Sequence, residues 1–402
     1  MKYVIVLGDG MADRPIDELG GMTPLEYAST PAMDELSKKS EIGLLHTIPE
    51  GMKPGSDTAN LSVLGYDPKI YYSGRSPLEA LSIGIPMAAD DIAIRCNIVT
   101  ISDDDVPFEE KTIIDHSSDE ISTEDCAVLV EAVKPYIESL SDHVYHLYVG
   151  TSYRHCLIWN GGQVLDLSQP HDHLGKKIGP FLPSDPYLLD MMKKSYEILK
   201  DHPMNTERIK KGLHPANCCW FWGAGTAPEL SPFEEKTGKK GVMISAVDLL
   251  KGIGTGASMK VIQVQGANGG LNTNYEGKAM AAVHALLDDG FDFAYIHVEA
   301  PDEMGHQGSV EKKVKAIEYL DSRVIKTVKY ELDAAGIDYR MAVLPDHPTP
   351  ISLRTHTSDP VPYMLYDSTA PLQKTWNYNE KEAETSGNYL PEGPMLIEKL
   401  LK

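Results

Sequence analysis

Residues 3–10, YVIVLGDG, form a short apolar run that ends at an Asp between two glycines. Two later segments have the same form: residues 293–298 read FAYIHV, and residues 341–344 read MAVL. Runs this short, bounded by Gly and Pro, are typical of buried strands in a parallel sheet. We therefore predict an α/β protein whose core is a largely parallel sheet flanked by helices.

Acidic and imidazole side chains follow each of the three runs. Asp9 ends the first run, and His356 lies nine residues beyond the cluster that follows the third. The full set of candidate ligands is Asp9, Asp302, His306, Asp346, His347 and His356. Because open α/β sheets bind ligands at the carboxyl ends of their strands, we expect these side chains to meet at one edge of the sheet.

Three Asp and three His side chains at one edge can coordinate two divalent cations. Asp302 and His306 are four residues apart, so a helical turn would place both on the same face. A single His in such a loop is more often a structural residue, but six ligand-type side chains at strand ends favour a metal role. Carboxylate oxygens mixed with imidazole suit Mn²⁺ or Zn²⁺ better than Ca²⁺.

The segment at residues 54–61, PGSDTANL, contains a candidate nucleophile, Ser56. A Ser before an apolar helix is by default an N-cap residue. Here the preceding Pro-Gly turn would expose Ser56 at a helix N-terminus, where backbone N–H groups favour phosphate. Because a hydroxyl is a weak nucleophile until it is deprotonated, Ser56 has a mechanism only if a metal site lies beside it.

The chain has 402 residues, 42% of them hydrophobic, and a formal net charge of −22. The length allows two domains, and the acidic balance argues against nucleic acid or an anionic membrane as partner. Five cysteines lack metal-ligand or redox spacing, and no stretch approaches the ~20 apolar residues of a membrane span. The first apolar run is also too short for a signal peptide. These features predict a cytoplasmic protein, and they leave its oligomeric state open.

A change of pattern near residue 90 suggests an inserted domain. Residues 92–99 alternate like a half-buried strand, and a helix with three strand-like segments follows between 123 and 168. Such an arrangement indicates an α+β module inserted into a main α/β domain, to which we assign the buried-strand candidate at 220–222. The predicted bounds are 89–185 for the insert, and 1–88 with 186–402 for the main domain.

Taken together, these motifs resemble the alkaline phosphatase superfamily and, within it, the archaeal-type cofactor-independent phosphoglycerate mutases. The segments that carry the resemblance are residues 8–13 (GDGMAD), 54–57 (PGSD), 300–306 (APDEMGH), 345–347 (PDH) and 355–360 (THTSDP). The resemblance covers nearly the whole chain. It implies an alkaline-phosphatase-like core with an inserted cap that binds substrate, and a Ser nucleophile between two metal ions, most commonly Mn²⁺, with Mg²⁺, Zn²⁺ or Co²⁺ as alternatives.

The resemblance also implies a distribution of ligands. It assigns Asp9, Ser56, Asp346 and His347 to one metal, and Asp302, His306 and His356 to the other. The small phosphorylated substrate needs further cationic partners for its phosphate and carboxylate, and Arg offers bidentate geometry. The substrate-binding candidates are Arg75, Arg95, Arg154, His155, His171, Asp172 and Lys240.

Four functions remain open at this point. The favoured one is an isomerase that interconverts 2- and 3-phosphoglycerate through phosphoserine at Ser56. The alternative is phosphotransfer of the homoserine kinase type with the same Ser, because residues 220–223, 245–250 and 346–350 are similar to a bacterial branch proposed as homoserine kinase. No Gly-rich phosphate loop is present for a nucleotide. Simple phosphomonoesterase activity and a non-enzymatic metal-binding role are the remaining hypotheses.

Overall fold

The computed structural model describes residues 1–402 and divides them into two compact units. The first unit comprises residues 1–72 and 229–402, and the second comprises residues 73–228. The strands are β1 Lys2–Gly8, β2 Ser40–Leu45, β3 Ile92–Ile101, β4 Ile113–Asp115, β5 Val144–Thr151, β6 Arg154–Asn160, β7 Cys218–Thr226, β8 Gly241–Ile244, β9 Lys260–Ile262, β10 Phe293–Val298, β11 Tyr339–Leu344, β12 Val361–Asp367 and β13 Tyr389–Leu390.

The helices vary from one turn to more than four. They are α1 Pro24–Tyr27, α2 Pro31–Ser37, α3 Ser56–Val63, α4 Pro68–Tyr71, α5 Arg75–Ser82, α6 Thr123–Glu138, α7 Pro186–Leu199, α8 Pro203–Lys210, α9 Phe233–Thr237, α10 Asp248–Gly256, α11 Tyr275–Leu287, α12 Ala300–His306, α13 Val310–Tyr319, α14 Lys326–Ala334, α15 Glu380–Thr385 and α16 Met395–Leu401. A π-helical stretch, Leu320–Ile325, joins α13 to α14. None of the helices is both long and apolar enough to cross a membrane.

The first unit is built on an eight-stranded sheet in the order β13-β2-β12-β11-β1-β10-β8-β9. Its centre is parallel: β11, β1, β10, β8 and β9 all run in one direction, while β12 is antiparallel to both of its neighbours. Every residue of β10 is buried, as a strand covered on both faces requires. The three apolar runs are thus strands β1, β10 and β11, and the predicted α/β fold with a largely parallel sheet is confirmed.

The second unit contains an antiparallel sheet in the order β4-β3-β6-β5, with β7 also paired to β3. Its core lies between this sheet and helices α6 and α7. Leu129 and Val133 of α6, and Met191 and Met192 of α7, pack there together with Trp220 of β7. The five cysteines of the chain are all buried and free.

The second unit is longer at both ends than the predicted insert of 89–185. Strand β7, which we assigned to the main domain, pairs with β3 from Ile92↔Thr226 to Val99↔Cys218. Helix α7 begins at Pro186 and belongs to the same core. The predicted bounds are therefore corrected to 73–228, because pairing between distant strands sets them and the local change of pattern near residue 90 does not.

Candidate metal centre and nucleophile

The predicted ligands follow three neighbouring strands of the first sheet. Because β11, β1 and β10 are adjacent and parallel, their carboxyl ends lie at the same edge. Asp9 follows β1 directly, and Asp346 and His347 follow β11. Helix α12 begins two residues after β10, with Pro at its first turn, and presents Asp302 and His306.

Asp9, Asp346, His347 and Ser56 form a first donor group. The Ser56 Oγ lies 3.1 Å from His347 Nε2 and 3.3 Å from Asp9 Oδ2. His347 Nε2 is also 3.5 Å from Asp9 Oδ1 and 3.5 Å from Asp346 Oδ2. The two carboxylates and the imidazole are buried, whereas Ser56 is partly exposed. Ser56 is therefore partly accessible from solvent as a residue, while its hydroxyl faces buried donor atoms.

Ser56 is the first residue of α3, and Gly55 is its N-cap. The Ser56 side chain makes no capping hydrogen bond, since its hydroxyl is directed to Asp9 and His347. The default interpretation of this Ser as an N-cap does not hold. The N–H groups of the first turn of α3 lie next to the hydroxyl and provide a favourable position for a phosphoryl group.

Asp302, His306 and His356 form a second donor group. His306 Nε2 lies 3.2 Å from Asp302 Oδ2, and His356 Nε2 lies 3.4 Å from Asp302 Oδ1. The two Nε2 atoms are 2.9 Å apart. Three donor side chains thus lie side by side, and together they offer the imidazole and carboxylate ligands that suit a divalent cation.

The hydrogen bonds made by Nδ1 of His306 and of His347 determine which nitrogen of each ring can bind a cation. His306 Nδ1 donates to the backbone carbonyl of Arg354 at 2.9 Å, because a carbonyl can only accept. The Thr349 hydroxyl donates to Asp302 and lies 3.3 Å from His347 Nδ1, so it accepts the Nδ1 proton of His347. When either ring is neutral, its lone pair therefore lies on Nε2, facing the donor groups, as in histidines that ligate metals.

The electrostatics of the two groups also fit cations. Burial, together with the charges of Asp346 and Asp302, raises the pKa of the Asp9 carboxyl well above its ordinary value. Burial alone would raise the pKa of Asp302 as well, but hydrogen bonds from His306 and His356 outweigh it and hold that pKa well below its ordinary range. The bond to Asp302 raises the pKa of His306 to about 9. Protons here occupy positions that bound cations would take, so metal binding competes with protonation.

Gly10 shows how closely the loops approach one another. Its φ is +59°, and a Cβ at this position would lie 2.5 Å from Asp302 Oδ1 and 2.5 Å from Thr349 Oγ1. Its backbone N–H donates to Asp346 Oδ1 at 3.1 Å. Only glycine fits a conformation and a contact of this kind, which explains the glycine that follows Asp9.

Sequence reasoning missed a polar network beneath the nucleophile. Asn60, one helical turn after Ser56, donates from Nδ2 to Asp346 Oδ2 at 2.9 Å and to the Ser56 carbonyl at 2.8 Å. The Tyr295 hydroxyl donates to Asn60 Oδ1 at 2.5 Å. The available signal was the spacing of four residues between Ser56 and Asn60, which places both on one face of a helix.

Sequence reasoning also missed His297, a fully buried residue of β10. The donor atoms of Asp9, His297 and Asp346 lie within 4.8 Å of one another, as do those of Asp302, His347 and His356. His347 thus lies close to Asp302 as well as to Asp9 and Asp346, the residues with which the resemblance groups it. A His in an otherwise apolar buried strand was the signal that could have drawn attention to His297.

Five of the substrate-binding candidates lie in the second unit with at least part of the side chain accessible: Arg75, Arg154, His171 and Asp172 are exposed, and Arg95 is partly buried. The Arg95 guanidinium lies 4.4 Å from the centre of the Trp222 ring and pairs with Glu79, and the His171 ring lies 5.4 Å from the same Trp222. Arg154 is exposed and lies over the Tyr153 ring. Arg75, at the start of α5, and Asp172 are also exposed. Arg95 and His171 are thus brought together at one aromatic side chain.

His155 is a structural residue of the second unit. Its side chain is 4% exposed, its Nε2 lies 3.0 Å from the Cys126 Sγ, and its Nδ1 accepts a bond of 3.1 Å from the Gly150 N–H. Burial lowers the pKa of His155 to about 4, so the ring is neutral. With both nitrogens engaged inside the core, His155 has no atom to offer a substrate, and the prediction is corrected.

Lys240 lies at the wrong edge of the first sheet. It directly precedes β8, and its backbone N–H donates to Asp292 Oδ2, just before β10, at 3.1 Å. Because β8 and β10 are parallel, this is the amino edge of the sheet, whereas the donor groups lie at the carboxyl edge. Between the two edges run β8, with 4 residues, and β10, with 6 residues, which at roughly 3.3 Å per residue are about 13 Å and 20 Å long. The predicted substrate contact of Lys240 is therefore corrected.

Comparison with known proteins identifies the family of the chain. A family model described as 2,3-bisphosphoglycerate-independent phosphoglycerate mutase matches residues 37–205. A protein of that name from Methanosarcina barkeri is 50% identical over 371 residues, which cover 91% of this chain and 90% of that protein. The chain belongs to the 2,3-bisphosphoglycerate-independent phosphoglycerate mutase family. The predicted family is confirmed.

Solved structures extend the similarity of this mutase family member to the whole fold. A cofactor-independent phosphoglycerate mutase from Thermoplasma acidophilum is 26% identical, with a TM-score of 0.69, and the match covers 100% of this chain and 99% of that one. A Pyrococcus horikoshii protein is 30% identical, with a TM-score of 0.80, over 100% of this chain and 96% of that one. Nothing in these relatives supports the homoserine kinase alternative.

Proposed function

We propose that the protein interconverts 2-phosphoglycerate and 3-phosphoglycerate by phosphoryl transfer through Ser56. The observation that carries the proposal is the position of the Ser56 hydroxyl, 3.1 Å from His347 Nε2 and 3.3 Å from Asp9 Oδ2 at the start of α3. The relatives from Methanosarcina barkeri and Thermoplasma acidophilum are both named phosphoglycerate mutases, which supports this substrate pair. The two remaining hypotheses, phosphomonoesterase activity and a non-enzymatic metal-binding role, do not agree with relatives that are named mutases.

We further propose that two divalent cations bind at the donor groups. Asp9, Ser56, Asp346 and His347 would hold one, and Asp302, His306 and His356 the other, with His347 close to both. When bound, the cations neutralise charge on the phosphoryl oxygens and lower the pKa of the Ser56 hydroxyl. The mixed carboxylate and imidazole donors support Mn²⁺ as the preferred ion, with Mg²⁺, Zn²⁺ or Co²⁺ as alternatives.

The residues of the chain then carry out two transfers. The Ser56 Oγ forms a bond to phosphorus as the bond from phosphorus to the glycerate oxygen breaks, and glycerate leaves with a free hydroxyl. The N–H groups at the start of α3 orient the phosphoryl group on Ser56. After glycerate has turned, its other hydroxyl attacks phosphorus, the bond to Ser56 breaks, and Ser56 regains a proton.

An anionic substrate needs cationic partners in a protein whose net charge is −22. We propose that Arg75, Arg95 and Arg154 of the second unit bind the substrate carboxylate and phosphate, and that His171 and Asp172 exchange protons with its hydroxyls. The placement of Arg95 and His171 at one Trp222 ring supports this role. The free thiols support a cytoplasmic location.

The test is an activity assay with purified protein and Mn²⁺. We expect 3-phosphoglycerate to be converted to 2-phosphoglycerate, as measured by ³¹P NMR, with no nucleotide added. Homoserine with ATP and a simple phosphomonoester serve as parallel substrates. Phosphorylation of homoserine without mutase activity would replace the proposal with the kinase hypothesis, and release of inorganic phosphate alone would replace it with the phosphatase hypothesis.

A further inference from the structure

We propose that His297 is a positioning residue of the metal centre, which holds the Asp9 carboxylate by a hydrogen bond and is not itself a ligand. The inference rests on the metal-dependent function proposed above. His297 Nε2 lies 3.0 Å from Asp9 Oδ2, and its Nδ1 lies 3.2 Å from the Ser245 Oγ. His297 is 0% exposed, so no solvent competes with either contact.

The partners of His297 determine where its single proton lies. Asp9 can ligate a cation only as a carboxylate, which accepts hydrogen bonds and cannot donate one. The proton of the neutral imidazole must then be on Nε2, and Nδ1 must accept. The Ser245 Oγ already accepts the Val247 N–H at 3.0 Å, which leaves its own proton to be donated to Nδ1.

This chain of hydrogen bonds crosses three neighbouring strands at their carboxyl ends. Ser245 follows β8, His297 lies in β10, and Asp9 follows β1, and the three strands are adjacent and parallel. The buried Lys278 of α11 donates to the His297 carbonyl at 3.0 Å and anchors the backbone at this point. The sheet and one helix thus hold the imidazole at a set distance from Asp9.

Two consequences follow for the donor group. The Nε2 of His297 carries a proton and has no lone pair for a cation, although it lies near Asp9 and Asp346. Asp9 Oδ2 accepts the bond from His297 and lies 3.3 Å from the Ser56 Oγ, while Asp9 Oδ1 lies 3.4 Å from the Ser56 Oγ and 3.5 Å from His347 Nε2. His297 therefore sets the orientation in which the Asp9 carboxylate faces Ser56, and it leaves Oδ1 free of a bond to His297.

The test measures Mn²⁺ binding to the purified, metal-free protein by titration calorimetry, without substrate. Three variants are compared with the wild type. His297→Leu removes the donor, His297→Gln places an amide N–H where Nε2 lies, and Ser245→Ala removes the hydroxyl that holds Nδ1. For outer partners of metal ligands the loss of affinity is about 10–100-fold, so we expect a loss in that range for His297→Leu and a loss of less than about 3-fold for His297→Gln. Ser245→Ala should weaken binding by about 3–10-fold.

Several results would overturn the inference. If His297→Gln binds Mn²⁺ as poorly as His297→Leu, His297 is a ligand, and if His297→Leu binds like the wild type, it has no role at the metal. If circular dichroism shows that His297→Leu does not fold, the other two variants decide. Unchanged Mn²⁺ affinity in Ser245→Ala would then overturn the proposal that Ser245 and His297 together hold Asp9. A wild type that binds Mn²⁺ but has no mutase activity would reject the proposed function and leave this inference standing.

Discussion

Asn60 Nδ2 donates a 2.9 Å hydrogen bond to Asp346 Oδ2 from the same helix that carries Ser56. The bond joins a predicted metal ligand to the segment that holds the nucleophile. Both side chains are fully buried, so no water replaces the bond if Asn60 is removed. The relative position of the nucleophile and one ligand therefore depends on this amide.

We predict that Asn60→Ala lowers kcat and Mn²⁺ affinity, each by about 10–100-fold, as expected when a partner of a metal ligand is lost. Steady-state kinetics at several Mn²⁺ concentrations would measure both. Tyr295→Phe is the matched control, because it removes the hydroxyl that contacts Asn60 and leaves the bond to Asp346 in place. Its effect should be clearly smaller, and equal effects of the two variants would argue against the specific role of Asn60.

Ser56→Ala should abolish phosphoryl transfer, because alanine has no oxygen to accept the group. The fold should be retained, since Gly55 is the N-cap of α3 and the Ser56 side chain makes no capping bond. Acid quenching of the wild type with ³²P-labelled phosphoglycerate, followed by peptide mapping, should place the label on the peptide with Ser56. Ser62→Ala, in the same helix and without a hydrogen-bond partner, is the control and should stay active. Label on any other residue would contradict phosphoserine at this position.

Chelation should inactivate the protein and lower its unfolding temperature. Burial and the charge of Asp346 raise the pKa of Asp9, so the carboxylates repel one another when no cation is present. A cation at a hundred times its dissociation constant would stabilise the fold by about 2.7 kcal/mol. Thermal unfolding with EDTA, and after addition of Mn²⁺, measures the effect. Identical melting curves with full activity under EDTA would exclude the metal centre.

Two substitutions of cationic residues should differ in effect. Arg154→Ala, at an exposed position of the second unit, should raise KM for phosphoglycerate by about tenfold or more, since a charge-assisted hydrogen bond contributes roughly 1.5–3 kcal/mol. Lys240→Ala should leave KM and kcat unchanged, because Lys240 lies at the amino edge of the sheet. A larger effect of Lys240→Ala than of Arg154→Ala would reverse our assignment of these residues.

The stability of the metal-free protein should depend on pH through Asp321. Burial raises the pKa of Asp321 to about 6, even though its carboxylate accepts bonds from the Ala32 and Met33 N–H groups. Because the folded pKa lies above the unfolded value of about 3.9, this contribution to stability is present at low pH and is lost as pH rises through 6. Asp321→Asn should therefore gain stability relative to the wild type between pH 4.5 and pH 7. Denaturant unfolding of both proteins in EDTA at several pH values would measure this gain in stability. If the difference in unfolding free energy between the two proteins does not change with pH, the prediction is contradicted.

Much of the centre follows from local features of the sequence. The apolar runs become β1, β10 and β11 because a strand buried on both faces needs apolar residues along its whole length. Asp9, Asp302 and Asp346 come after those runs, and parallel strands bring their carboxyl ends to one edge. Chain order and strand direction were therefore enough to predict the two donor groups.

The limits of the second unit could not be predicted in the same way. Strand β7 lies more than a hundred residues from its partner β3, and nothing in its sequence specifies that pairing. Its apolar residues suit either sheet equally well. The choice depends on backbone hydrogen bonds and core packing between distant segments, such as Trp220 with Met191 and Leu129.

The sequence by itself determined the α/β class and the family, and it predicted the proposed nucleophile and ligand types, because these depend on residue identity, spacing and strand order. Only the tertiary structure decided which atoms meet. Both nitrogens of His155 make contacts inside a core, and Lys240 lies at the amino edge of the first sheet, opposite the donor groups. His297 contacts Asp9 across neighbouring strands. The physical reason is that a hydrogen bond depends on the direction and distance of two side chains to within a few tenths of an ångström. Strand register and packing set these quantities, and local sequence does not.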